Sequence, residues 1–111
     1  MNYNSDNNLY NFERLSAKNI SDLYKLYAVV YNHQRTPGYF ETKYDTAYTG
    51  VKYTGFIAYN NRNEAVAYYG VIPCFIKYDG KLILAAQSTD TLIHPEYRHE
   101  GLFTQLARLT F

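Results

Sequence analysis

Along this chain the apolar residues alternate, then recur at helical spacing, then alternate again, and each change of period marks an element. Tyr10-Asn11-Phe12-Glu13-Arg14-Leu15 alternates apolar with polar, as a strand with one buried face does. Ser16 to Asn19 turns the chain. Ile20, Leu23, Tyr24, Tyr27, Val30 and Tyr31 then form one helical stripe, and Asn19 followed by Asp22 resembles a capping arrangement at its start. Thr36-Pro37-Gly38 is expected to stop that helix, because proline lacks an N–H and glycine accepts turn dihedrals. A shorter helix over about residues 39–48 follows.

From Tyr53 the period becomes that of sheet, and the pattern predicts three successive strands over residues 53–59, 65–78 and 82–93. Asn60 to Glu64 is a polar link. Asp79-Gly80 predicts a two-residue hairpin, whose positive φ angles match the twist of paired strands. Pro73 cannot donate to a ladder, so it belongs at an edge-facing position or a bulge. Beyond Ile93 a polar loop leads to Leu102, Phe103, Leu106 and Leu109 at helical spacing, with Phe103 on the apolar stripe, and no stop signal precedes Phe111. Residues 1–8 are polar and aperiodic, a leader with order expected from about Leu9.

Composition narrows the classes without naming one. An apolar share of 47% with 19% charged residues suits a single globular core over residues 9–111. Eleven Lys and Arg against ten Asp and Glu, scattered along the chain, give no footprint for a nucleic-acid backbone. No apolar run approaches the roughly 18 residues that cross a bilayer. The first residues lack a basic and apolar leader for export, and Cys74, the single cysteine, has no internal partner, so a cytoplasmic setting is expected. His33, His94, His99 and Cys74 lack the spacing of a zinc set, and no metal is expected. Fourteen Tyr and six Phe recur at strand and helix positions, where half-buried rings are ordinary.

The candidate chemistry lies between the last strand and the last helix. Arg98-His99-Glu100-Gly101 opens that helix, whose first N–H groups have no intrahelical partner and whose dipole favours an anion. A bare Cα at Gly101 lets phosphate oxygens approach, and Arg98 adds a charge-assisted bond. The stretch Leu92-Ile93-His94-Pro95-Glu96-Tyr97-Arg98-His99-Glu100-Gly101-Leu102-Phe103 resembles motif A of the GNAT acyltransferases, written [QR]-x-x-G-x-[GA]. Arg98 and Gly101 take its first two fixed positions; Phe103 departs from the small residue of the third. A long strand before the motif, an amphipathic helix after it, and the upstream strand, two helices and meander follow the order of that family's first half over residues 9–111.

The resemblance implies an α/β fold of GNAT type, its mixed sheet cut after the motif helix, with the family's later strands, final helix and general acid outside this chain. It also implies acetyl-CoA as acyl donor, held by the main chain of Thr91, Leu92 and Ile93 and by Arg98, His99, Glu100, Gly101, Leu102 and Phe103. The acyl group would pass to a primary amine of a small molecule, an amino sugar being one candidate. The position of the family's strand glutamate falls on Gln87, which is no base, and Asp90 is the nearest carboxylate on the same strand; a bulge would bring it inward. A capping or turn role for Asp90 is the alternative. His94 is expected to cap the strand end. The rival to an enzyme is a non-catalytic module that completes itself with a second copy or another chain through an exposed sheet edge.

Overall fold

The computed structural model describes residues 10–46 and 53–110. The leader expected at 1–8 lies outside the described residues, as do 47–48; the second helix, expected over about 39–48, ends at Lys43, and 44–46 are not helical. In chain order the elements are β1 (Asn11–Arg14), α1 (Ile20–Tyr31), α2 (Tyr39–Lys43), β2 (Gly55–Tyr59), β3 (Ala65–Tyr78), β4 (Lys81–Ile93), a 3-10 turn (Pro95–Tyr97) and α3 (Leu102–Thr110). The strands form one sheet in the order β1-β2-β3-β4, and every described pairing is antiparallel.

Strand alternation sorts the side chains onto two faces, each covered by helix. Leu15, Ile57, Tyr59, Tyr68 and Leu92 meet Ile20, Leu23, Leu26 and Tyr27 of α1 and Phe40 of α2 on one face. Tyr10, Phe12, Ala58, Ala67, Tyr69 and Val71 meet Leu102 and Leu106 of α3 on the other. Ala58 and Ala67 are cross-strand partners at the centre of that second face, and their small side chains leave the room that the α3 leucines fill.

The hairpin forms as its sequence requires, with φ of 51° at Asp79 and 75° at Gly80. Beyond Gly55, β3 loses its β2 neighbour, and Val71 N–H makes the last bond to that side, to Thr54 C=O. Two residues on, Pro73 has its missing donor on the same side, which is open among the described residues, so no described ladder bond is lost.

Three local expectations are corrected. Asn19 makes no side-chain cap: its Oδ1 accepts Ser16 N–H and its Nδ2 donates to Arg14 C=O, tying β1 to the turn, while Asp22 accepts from the Tyr59 hydroxyl at 2.7 Å. Helix α1 ends before Thr36, at Asn32, which takes the left-handed conformation that asparagine tolerates. Phe103 is not a core residue; it is half-exposed, its ring edge-on to Tyr69.

Candidate functional site

Strand β4 carries the site because one of its edges is open among the described residues. Its ladder with β3 shifts register once: Gly70 faces Asp90 and Val71 faces Ser88, leaving Thr89 as an extra, bulged residue. Past the bulge the ladder is regular as far as His94, whose N–H bonds to Val66 C=O at 2.8 Å. Main-chain groups alternate sides along a strand, so Leu92 faces β3 with His94, and Thr91 and Ile93 face the open edge. Of the three residues expected to offer main-chain groups there, Leu92 contributes a fully buried side chain instead.

The open edge runs into the start of α3. Arg98 is exposed, and its Nε donates to Ile93 C=O at 3.4 Å, which folds the guanidinium back over the strand end. Gly101 has φ of 72°, and a Cβ built there would meet nothing within 4 Å, so the backbone is bare to solvent at the turn. Gln105 N–H bonds to Gly101 C=O, and the earlier N–H groups of the first turn, from Leu102 to Thr104, have no intrahelical acceptor. Glu100 does not add to these donors: its N–H bonds to Tyr97 C=O, and its carboxylate accepts from the Tyr10 hydroxyl at 2.7 Å. His99 is exposed on the same turn.

The 3-10 turn before this cradle is anchored by the β2–β3 link at the same end of the sheet. Asn60, nearly buried, uses both ends of its amide: Oδ1 accepts the N–H groups of Arg62 and Glu64, and Nδ2 donates to Glu64 Oε1 and to the Tyr97 hydroxyl at 3.1 Å. The Tyr97 ring stands edge-on to those of Tyr10 and His94. His94 Nδ1 accepts Glu96 N–H, so this histidine caps the turn that follows rather than the strand that precedes. A cleft of about 430 Å³ lies on the other side of this turn, between α1 and the β2–β3 link; it takes in His94, Glu96 and Tyr97 but neither the β4 edge nor the Arg98–Phe103 loop.

On the α1 and α2 face, the bulge gathers a polar group that the sequence pattern does not announce. Asp90 Oδ2 accepts from the Tyr44 hydroxyl at 2.6 Å and pairs with Lys43 Nζ at 2.9 Å. The Tyr44 oxygen also lies 3.1 Å from Thr89 Oγ1, and Thr89 Oγ1 donates to Gly70 C=O at 3.3 Å. Tyr68, buried beside Tyr44, reaches across its own strand, so that a Cβ at Gly70 would fall on both hydroxyls and one at Gly55 on that of Tyr68. Burial first, and the bond to Asp90 second, raise the Tyr44 pKa; burial and the neighbouring Tyr44 raise that of Tyr68. Tyr44 is therefore a donor and not a base. Gln87 is exposed on β4 opposite Ile72. Gly70 inside β3 and Gly55 at the start of β2 are the sequence signal for this close approach.

Among the described residues, no group of three or more His, Cys, Asp or Glu is placed to hold a metal ion, and no helix is long and apolar enough to cross a membrane. An antiparallel sheet whose last strand leads through a glycine turn into a helix N-terminus places unpaired N–H donors, which favour an anion, at that junction of an α/β fold. The profile of the Acetyltransferase (GNAT) domain matches residues 11–111, and the chain belongs to the GNAT acetyltransferase family.

Solved structures share the fold. The aminoglycoside antibiotic 6'-N-acetyltransferase AAC(6')-Ih of Acinetobacter baumannii aligns at 18% identity and TM-score 0.64, over 90% of this chain and 67% of that one. The N-myristoyltransferase of Saccharomyces cerevisiae with bound myristoyl-CoA aligns at 16% identity and TM-score 0.74, over 90% and 25%. A GCN5-related N-acetyltransferase of Kribbella flavida aligns at 16% identity and TM-score 0.68, over 91% and 26%. This chain thus spans two thirds of the first protein's length and about a quarter of the other two. No curated protein matches the sequence.

Proposed function

We propose that this chain forms the acyl-donor half of an N-acetyltransferase that moves an acetyl group from acetyl-CoA to the primary amine of a small molecule. The observation that carries the reading is one continuous track: the open β4 edge at Thr91 and Ile93, Arg98 folded over its end, and the bare turn at Gly101 opening α3. The donor's pantetheine arm presents amides that suit a strand edge, and its pyrophosphate suits N–H donors beside a cation. The two ends of the track therefore differ as the two ends of that molecule do. Leu102 to Thr104 supply the N–H donors, Arg98 the charge, and His99 and Glu100 the turn between them. Phe103, half-exposed beside the turn, is placed to cover the bound donor rather than to tighten the helix start.

Acyl transfer needs a neutral amine at the thioester. Asp90 lies one residue from the Thr91 end of the track, and we assign it to the acceptor side. Its Oδ2 is paired with Lys43 Nζ and its Oδ1 faces no described donor. No residue of this chain is assigned as general acid. An amino sugar as acceptor is supported by the aminoglycoside enzyme that shares the fold. A cytoplasmic setting belongs to the same reading, since the donor is an intracellular thioester. The second reading, a binding module completed by another chain, is favoured by the open β4 edge itself.

A thermal-shift titration tests the proposal. A ligand bound only by the folded state stabilises it by about 2.7 kcal/mol at one hundred times its Kd. Acetyl-CoA is expected to raise the melting midpoint of the wild-type chain, and less so that of Arg98→Ala. No rise with acetyl-CoA or free CoA at saturating concentration would remove the reading, and a rise with a long-chain acyl-CoA alone would change the acyl group.

A further inference from the structure

We infer that Asp90 is a recognition site for a primary ammonium group, and that Lys43 occupies it in the absence of acceptor. A lysine Nζ is a primary ammonium on an unbranched alkyl stem, and it rests 2.9 Å from Asp90 Oδ2. Any acceptor amine arriving as its conjugate acid presents the same group to the same oxygen.

Three observations separate this from an ion pair kept only to fix α2. First, the carboxylate is held without the lysine: Tyr44 donates to Oδ2 at 2.6 Å, and Tyr44 in turn lies against Thr89 Oγ1 in the bulge. The Tyr44 bond to Oδ2 does not depend on Lys43. Second, both recorded partners use Oδ2, and among the described residues no hydrogen bond to Oδ1 is found, so a second N–H donor has lone pairs to meet. Third, the pair is reachable: the Lys43 and Asp90 side chains keep 21% and 14% of their surface, whereas the Tyr44 behind them is fully buried. Water screens a partly enclosed carboxylate less than an exposed one.

The assignment of this ammonium to the acetyl acceptor rests on the acyl-CoA reading above; the existence of the site does not. Lys43 leaves as the acceptor enters, so the site exchanges one ammonium for another and no charge is left uncompensated in the partly buried bulge.

Chemical rescue tests the site without acetyl-CoA. The Lys43→Ala chain is melted in increasing ethylammonium chloride and, at matched ionic strength, in tetramethylammonium chloride, which has no N–H donor. The expected result is a saturable rise of the midpoint with ethylammonium alone, a weaker rise for wild type, where Lys43 competes, and none for Lys43→Ala/Asp90→Asn. Equal response of Lys43→Ala to the two salts, or an unchanged response in the double variant, overturns the proposal. Lys43→Met keeps the packing of the stem and replaces Lys43→Ala if that variant does not fold. Rescue by ethylammonium together with no binding of acetyl-CoA would keep the ammonium site and discard its link to acetyl transfer.

Discussion

At the scale of single residues, buried phenols make this chain sensitive to alkali. The Tyr10 pKa is pushed from 10.0 up to about 12, first by burial and then by its hydrogen bond to the Glu100 carboxylate. Tyr44, Tyr59 and Tyr68 move in the same direction, each chiefly through burial. A raised pKa means the folded state holds the phenolic proton more tightly than the unfolded state. The stability this contributes is complete below the unfolded value of 10.0 and is lost as pH climbs toward 12. Melting midpoints are therefore expected to fall steeply above pH 10, and Tyr10→Phe to show a shallower fall while losing about 1 kcal/mol near neutrality. An alkaline slope unchanged in Tyr10→Phe would show that Tyr10 does not carry its share. Glycines give a second residue-scale contrast. Gly101→Ala puts a side chain at φ of 72° in open space, so its loss is conformational, about 1–2 kcal/mol. Gly70→Ala instead drives a Cβ onto the Tyr44 and Tyr68 hydroxyls. Overpacking of that kind costs about 1–3 kcal/mol, and Tyr68→Phe removes one of the two obstructing oxygens. Denaturant melts of the four members of that cycle should show the double variant more stable than the two single losses added together; strict additivity would contradict the packing argument.

At the scale of elements, the periodicities place the strands, α1 and α3 within a few residues of where they lie, whereas the second helix ends at Lys43, half the expected length. The stripe from Ile20 to Val30 reports burial directly, because one buried face leaves a period in the sequence, whereas Val66 to Val71 is buried on both faces and is a continuous run. Asp79-Gly80 is equally local, since the turn type selects its residues. What has no period is the contact between distant elements. Tyr44 meets Asp90 across 46 positions, and the bulge at Thr89 is a register shift between two strands rather than a property of either. The proposal of Asp90 from sequence rested on its being the nearest carboxylate, and nothing local to it names Lys43 or Tyr44 as its partners. The anchoring of the cradle is of the same kind. Asn60, in the β2–β3 link, holds Tyr97 just before Arg98. Asn60→Ala unpairs two N–H groups of the link and the Tyr97 bond, a loss of about 1–3 kcal/mol. Tyr97→Phe keeps the ring contacts and loses only the oxygen, about 1 kcal/mol. If the turn aims Arg98, titration calorimetry with acetyl-CoA should give weaker binding in both variants, and weaker in Asn60→Ala than in Tyr97→Phe. Equal affinities in wild type and Asn60→Ala would leave Asn60 a purely structural residue.

At the scale of the whole molecule, the sheet does not end where its helices do. Beyond Gly70, β3 and β4 continue as a two-stranded arm from Val71 to Ser88, about 27 Å long at ~3.4 Å per residue. The radius of gyration, 14.7 Å, exceeds the ~13 Å of a compact chain of this length, as such an arm requires. Cross-strand pairing puts Phe75, Leu84 and Leu82 on one of its faces and Ile76, Ile83 and Tyr78 on the other, all substantially exposed. A ribbon of two strands is marginal by itself in water, and an open edge flanked by apolar side chains is a template for another strand or sheet. The expected outcome is association of this 111-residue chain through the arm as concentration rises, read by sedimentation velocity. Leu82→Lys/Leu84→Lys charges one face next to the open β4 edge and touches neither helix-covered core, so it should return the chain to monomer with its melting midpoint at low concentration unchanged. Association undiminished in that variant would place the contact elsewhere on the molecule. Monomer at every concentration in wild type would mean that the arm's apolar faces do not drive self-association, and would withdraw the copy-to-copy reading of the β4 edge.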